Sequence, residues 1–322
     1  MPKLLRTIRT SGKVGSVAFN PKGDFIGAAC EDGAKIWETK TGSLYQSLPL
    51  LNENTGLFRR FFAKTRAFSV SFSPDGDKLA TGNYDHNVAV WNLRDKMAPM
   101  IFKGHRDCVT KVQFVAADCL FSYGNRDKSV RIWDTSTGIC RNNFPVTGWG
   151  AGMAVSSDGK TIAVGDCIEN IFTLYDAADG RPIRTLSKSQ RMGGLKGSCG
   201  VAFSPNGSIV ITGMWDGTMK LWETETGTCL QTLAGHKSGL CHLAFSPDGR
   251  HILTASLDGT VRLWNCDSSS EVHRFNGQDF ACAVCFSPCG NLGAISNLKG
   301  YIQVWDLGSP KNVRPGINAK KR

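Results

Sequence analysis

Residues 235–265 read GHKSGLCHLAFSPDGRHILTASLDGTVRLWN. LCHLAF (240–245) has the apolar alternation of a strand, and SPDG (246–249) has the Pro, Asp and Gly of a tight turn. A second apolar run, HILTAS, leads to another turn, LDGT, and then to VRLW, which closes on Trp264. The same order recurs along the chain. Six apolar runs end in Trp37, Trp91, Trp133, Trp222, Trp264 and Trp305, and a seventh ends in Tyr175. Their spacings are 54, 42, 42, 47, 42 and 41 residues. The turn run also repeats, as VAFNPKG (17–23), VSFSPDG (70–76), VAFSPNG (201–207) and VCFSPCG (284–290), with degenerate copies at 112–118 and 153–159. Past each anchor a polar turn opens into a fourth run, such as CLQTL (229–233) or PIRTL (182–186). Each unit therefore predicts four short antiparallel strands.

One such unit is apolar on both faces and needs a neighbour on each. Seven units around an axis supply those neighbours and spread the core between them, which lets one domain exceed the usual limit of ~300 residues. No fourth run follows Trp305, whereas Leu5-Arg6-Thr7-Ile8 has the pattern of Leu230-Gln231-Thr232-Leu233. The expected fold is an all-β, seven-bladed β-propeller of four-stranded antiparallel blades, its ring closed by the N-terminal strand pairing into the last blade. Residues 1–308 form this propeller, and 309–322 form a basic tail expected to be flexible.

The seven phased anchors, each followed by Asp, Glu or Asn, and the Gly-His pairs at 104–105 and 235–236 resemble the WD-repeat β-propeller family over roughly 300 residues. The resemblance implies a platform for interactions rather than catalysis. It also implies a structural network of His, strand Ser/Thr, turn Asp and Trp within a blade. The sixth blade fits throughout, with His236, Thr254, Asp258 and Trp264. The third keeps His105, Asp127 and Trp133, with Tyr123 in the hydroxyl place.

Composition sets further bounds. MPKLLRTIRTSGK has no signal-peptide core and no apolar run approaches a bilayer span, so neither secretion nor a transmembrane helix is expected. Twelve cysteines then read as reduced thiols in a cytoplasmic or nuclear compartment. The balance of 38 Lys+Arg over 27 Asp+Glu gives +11, which suits an acidic or polyanionic partner. Cys282, Cys285 and Cys289 lack a fourth ligand, and residues three apart on a strand face opposite ways, so no metal site is expected. No nucleophile–base set or phosphate loop is present, and no cofactor or catalytic residue is expected.

The family resemblance implies partner-facing positions at the start of each inner strand and just before the turn Asp. These positions carry Arg66, Phe68, Tyr84, Arg126, Trp149, Trp215, Leu257 and Phe280. Aromatics beside Arg have the composition of a binding hot spot. Trp149 and Trp215 have the alternative of folding back over their own turns. The long insertion 49–66 carries Leu57, Phe58, Arg59, Arg60, Phe61 and Phe62, which suits a partner anchor, an interfacial membrane segment or an apolar flap on the rim. The first functional reading is a scaffold binding protein or peptide partners within a multiprotein complex. Binding of RNA, ribosomes or acidic lipid through basic loops is the second.

Overall fold

The computed structural model describes residues 1–50, 66–95, 97–147, 150–166, 171–187, 200–277 and 281–308. The described residues form twenty-eight strands, β1 to β28, in seven four-stranded antiparallel sheets. Blade 1 spans 14–49, blade 2 67–102, blade 3 109–145, blade 4 150–187, blade 5 201–233 and blade 6 240–275. Blade 7 joins β26 (Ala281–Phe286), β27 (Leu292–Asn297) and β28 (Tyr301–Asp306) to β1 (Lys3–Arg9). The ring closure expected from the sequence is therefore present. β1 runs antiparallel to β28 from Lys3↔Asp306 to Arg9↔Tyr301, and the Thr10 N–H extends the ladder to the Gly300 carbonyl at 2.8 Å.

Burial follows position within a blade. Middle strands are covered on both faces: in β11 (Cys119–Gly124), Leu120, Phe121, Ser122 and Tyr123 are all buried. Outer strands face solvent, and each presses one apolar side chain near its end into the core. These are Leu48, Phe102, Phe144, Leu186, Leu233 and Phe275, and Ile8 of β1 completes the series. Seven hydrophobic clusters result, one between each pair of adjacent blades; the one across the closure joins Ile8, Val14 and Trp37 to Ala283, Ile302 and Val304.

The SPDG turns hold their shape locally. Ser246 Oγ accepts the His251 N–H at 2.9 Å, and Gly249 takes φ +70°, a left-handed conformation open to glycine. A bulge sits at the second residue of six inner strands: Gly15, Phe68, Thr110, Ala151, Cys241 and Cys282. A bulged residue leaves the ladder and re-aims its side chain. No helix of the described residues is long and apolar enough to cross a membrane.

Candidate functional site

The polar networks come first, because in blade 3 they have the outline of a catalytic triad. His105 Nδ1 lies 2.8 Å from Asp127 Oδ2, and His105 Nε2 lies 2.7 Å from Ser122 Oγ. Trp133 Nε1 donates to the same hydroxyl at 2.7 Å. An indole N–H only donates, so the hydroxyl accepts from Trp133, and the carboxylate accepts Nδ1–H; the Ser122–Nε2 bond completes the chain in either direction. Every group in this network is paired. Ser122 is 0% exposed, so its oxygen reaches no substrate. Blade 6 repeats the chain through Trp264, Thr254, His236 and Asp258 at 2.9, 2.7 and 2.9 Å.

Ser122, not Tyr123, fills the hydroxyl place of blade 3. Counting back from Trp133 selects Tyr123 because the turn between β11 and β12 (Ser129–Asp134) is one residue longer than its counterpart in blade 6. Cross-strand pairing removes the ambiguity: Leu120 pairs with Trp133 as Ile252 pairs with Trp264, which aligns Ser122 with Thr254. Other blades solve the same problem differently. Thr212 alone serves Trp222 in blade 5, at 2.8 Å. In blade 4 the Tyr175 hydroxyl accepts from the Thr147 N–H at 2.8 Å. In blade 7, Asn297 Oδ1 accepts the N–H groups of Lys299 and Tyr301, replacing the missing turn aspartate.

Of the expected partner-facing residues, the structure joins four at the rim of blades 2 and 3. The Arg66 guanidinium sits 5.0 Å over the Phe68 ring, and Phe68 and Tyr84 lie 6.2 Å apart between centroids. The Tyr84 N–H donates to the Arg66 carbonyl at 2.9 Å, while its side chain is 44% exposed. Cys108 Sγ donates to the Tyr84 carbonyl at 3.5 Å, and the Arg126 N–H donates to Asp107 Oδ2 at 2.8 Å, which carries the patch onto blade 3. Burial, helped by the charge of Asp107, pushes the Cys108 thiol up to about 11.

Leu257 is 50% exposed on blade 6, and its N–H donates to the Gly239 carbonyl at 2.9 Å. Trp215 lies against the same glycine, where an added Cβ would meet its ring at 2.8 Å. The indole is half-buried and packs on the apolar cluster between blades 4 and 5, so it covers its own blade as well as facing outward. Trp149, Phe280, the 57–62 set and the 309–322 tail lie outside the described residues.

Inner strands of blades 3 and 6 meet in a pair that sequence separation conceals. Lys111 of β10 (Val109–Ala116) reaches across from blade 3 to His242 of β22 (Leu240–Phe245), Nζ to Nε2 at 3.1 Å. Burial pushes the Lys111 ammonium down to about 8, and burial together with Lys111 holds His242 well below the usual imidazole range. Below about pH 8 folded and unfolded chains both carry the lysine charge, and the folded state bears the whole desolvation cost. Between about 8 and 10.4 the folded lysine releases its proton first and the cost fades. Both residues are partly exposed, which limits that cost. Lys111→Met is expected to raise stability by about 1–2 kcal/mol at neutral pH, less than the shift alone implies, and the gain fades between about pH 8 and 10.4 and is absent at about pH 11. Urea unfolding at the two pH values checks this; an equal gain at both excludes the charge as its cause.

Two further findings depart from the sequence reading. The bulge at Cys282 breaks strand alternation, so Cys282 and Cys285 both turn toward blade 1, onto the Val14 carbonyl at 2.6 Å and the Phe19 backbone. The cluster of potential metal ligands among the described residues lies elsewhere, at His86, Asp107 and Cys108. It escapes sequence reading because His86 belongs to a turn of blade 2 and the others to the lead-in of blade 3, with no shared spacing.

Comparison with known proteins accords with this architecture. The family model for the WD domain, G-beta repeat, matches residues 2–38, 60–92, 98–134, 180–223 and 227–265. The unmatched stretches include Tyr175 of blade 4 and most of blade 7, the blades with substituted networks. The chain is similar to Pre-mRNA-processing factor 17 of Homo sapiens, 26% identical over 243 residues, covering 73% of this chain and 39% of that protein. It is 29% identical to THO complex subunit 3 of Arabidopsis thaliana over 125 residues, covering 37% of this chain and 39% of that one. With Nuclear distribution protein nudF 1 of Talaromyces marneffei it shares 27% over 248 residues, covering 69% and 51%. The chain spans about half or less of the curated relatives it matches. With more than half of its residues under that family model and seven four-stranded blades closed in a ring, the chain belongs to the WD domain, G-beta repeat family.

Proposed function

We propose that the chain is a non-catalytic scaffold that seats a protein or peptide partner on the rim of blades 2 and 3, as a subunit of a larger assembly. The observation that carries this reading is the Arg66–Phe68–Tyr84 stack, a cation over an aromatic beside a second, exposed ring. Such a group offers large, pre-ordered contact area, and residues of this kind dominate interface energetics. The buried networks support the non-catalytic part, since their Ser–His–Asp outline is consumed by Trp133. A relative named as a complex subunit supports membership of an assembly. The relatives named for pre-mRNA processing support extending a cytoplasmic reading to the nucleus.

Arg66→Ala with Tyr84→Ala is expected to weaken partner capture by roughly tenfold or more while melting stays unchanged. Quantitative affinity purification of wild-type and double-variant chains reads this. Recovery of the same partners in the same amounts refutes the assignment. The +11 charge favours a second reading, in which basic surface binds RNA or acidic lipid. Repeating the capture at about 50 and 200 mM salt separates the two, because phosphate contacts lose affinity steeply with salt.

A further inference from the structure

Blades 2 and 3 bring three potential metal ligands together beside the aromatic patch, and the scaffold reading gives their side chains no ligand of their own. The ligand atoms of His86, Asp107 and Cys108 all lie within 4.8 Å of one another. Two of the three are held by main-chain contacts. The Arg126 N–H at 2.8 Å orients the Asp107 carboxylate through Oδ2. The Asn125 N–H on the Cys108 carbonyl at 3.0 Å, and the thiol on the Tyr84 carbonyl at 3.5 Å, set Cys108 against the turn that carries His86. His86 has φ +73°, a left-handed conformation unusual for a residue with a side chain, at the tip of that turn. Its imidazole is exposed, with a ring nitrogen already within 4.8 Å of the other two donors.

We propose that His86, Asp107 and Cys108 form a three-donor site for a divalent cation of the zinc class. The donor chemistry selects the metal. Thiolate and imidazole favour zinc and its borderline neighbours, whereas magnesium and calcium take oxygen donors. Tetrahedral bonds of about 2.0–2.3 Å place donors roughly 3.3–3.8 Å apart, and rotation of His86 closes that difference. Binding replaces the thiol proton, which leaves to solvent, with a metal–sulfur bond. Three protein donors leave the fourth position of the tetrahedron open to water or to an incoming side chain.

The full chain, stripped with a chelator, is titrated with cobalt(II) as a spectroscopic substitute for zinc. The expected result is one equivalent bound with thiolate-to-cobalt charge-transfer absorption, displaced by zinc. Cys108→Ser abolishes that absorption, and Cys289→Ser, at an exposed thiol on another blade, leaves it intact. His86→Ala weakens binding by more than the roughly 10–100-fold that loss of a group merely supporting a ligand costs. Far-ultraviolet circular dichroism of each variant confirms the fold; if Cys108→Ser is misfolded, His86→Ala and Asp107→Asn decide. No cobalt absorption in the wild type, an unchanged band in Cys108→Ser, or equal affinity in His86→Ala overturns the proposal. Because these readings need no partner, their failure leaves the scaffold reading untouched.

Discussion

A chain shortened to begin at Thr10 is expected to lose most of its stability and to self-associate. β1 is the only covalently remote piece of blade 7, and its pairing with β28 is what shuts the ring. Without it, β28 presents a row of unpaired N–H and C=O groups, a template for another chain. The cluster joining Ile8, Val14, Ile302 and Val304 also loses a wall. Ile8 alone gauges the effect: Ile8→Ala is expected to cost about 2–4 kcal/mol by burial and cavity terms. Against a total of about 5–15 kcal/mol, removing the whole strand is severe. Urea unfolding reads the point variant, and sedimentation at several concentrations reads the truncation. A peptide of residues 1–9, added in excess, is expected to restore the monomer. A truncated chain that stays monomeric and melts like the wild type shows that the closure contributes nothing.

The second large effect is in the networks. Asp258→Ala is expected to cost about 2–3 kcal/mol, because it leaves buried polar groups without their acceptor and Arg262 with one carboxylate in place of two. Arg262 is 2% exposed and lies between Asp258 at 3.6 Å and Glu271 at 2.7 Å, and His236 loses the acceptor for Nδ1–H. Ser122→Val in blade 3 is expected to cost about 1–3 kcal/mol by leaving Trp133 Nε1 and His105 Nε2 unpaired. The pH dependence has a definite sign. Burial pushes His236 below the usual imidazole range despite Asp258, so below about pH 6.5 the unfolded chain takes up a proton that the folded chain refuses, and stability falls. Burial opposes ionisation of Asp258, but the Thr260 hydroxyl, the Lys237 N–H and His236 outweigh it and hold the carboxyl far below the usual range. Its contribution is present above about pH 4 and is lost as the pH falls further. Urea unfolding at about pH 7, 5.5 and 3.5 should therefore show the wild type losing stability in two stages, below about pH 6.5 and below about pH 4; Asp258→Ala is expected to lack the second stage but keep the first, because without the carboxylate His236 is held lower still. Parallel curves exclude this network as the acid-sensitive element.

Much of the candidate site was legible, for a reason that differs by residue. Phe68 and Tyr84 were found because their places, a strand opening and a hairpin turn, are local features that the repeat counts out. The bulges at Phe68 and Thr110 supply the geometry behind that count. Trp215 was ambiguous because its direction depends on Gly239, which offers no side chain to keep the indole off. Thr81 and Asn83 of blade 2 carry a different message. Both are buried, and neither the hydroxyl nor the amide has a hydrogen-bond partner among the described residues. Gly124 holds the place of Asn83 in blade 3, where a side chain would strike His105 and Asp127, so Asn83 belongs with the absence of that histidine pairing in blade 2.

The amino-acid sequence alone determined the number of blades, the four-strand unit and the closure by residues 3–9, because each depends on local alternation, turn residues and a period that can be counted. Tertiary structure decided the rest. It chose Ser122 over Tyr123 through cross-strand register, and turned Cys282 to the side of Cys285 through one bulge. It brought Lys111 to His242 and His86 to Cys108. Those outcomes rest on single-residue shifts and on contacts between blades. A one-residue shift reverses the face of every side chain beyond it, and a closed ring sets side by side residues that no linear spacing relates.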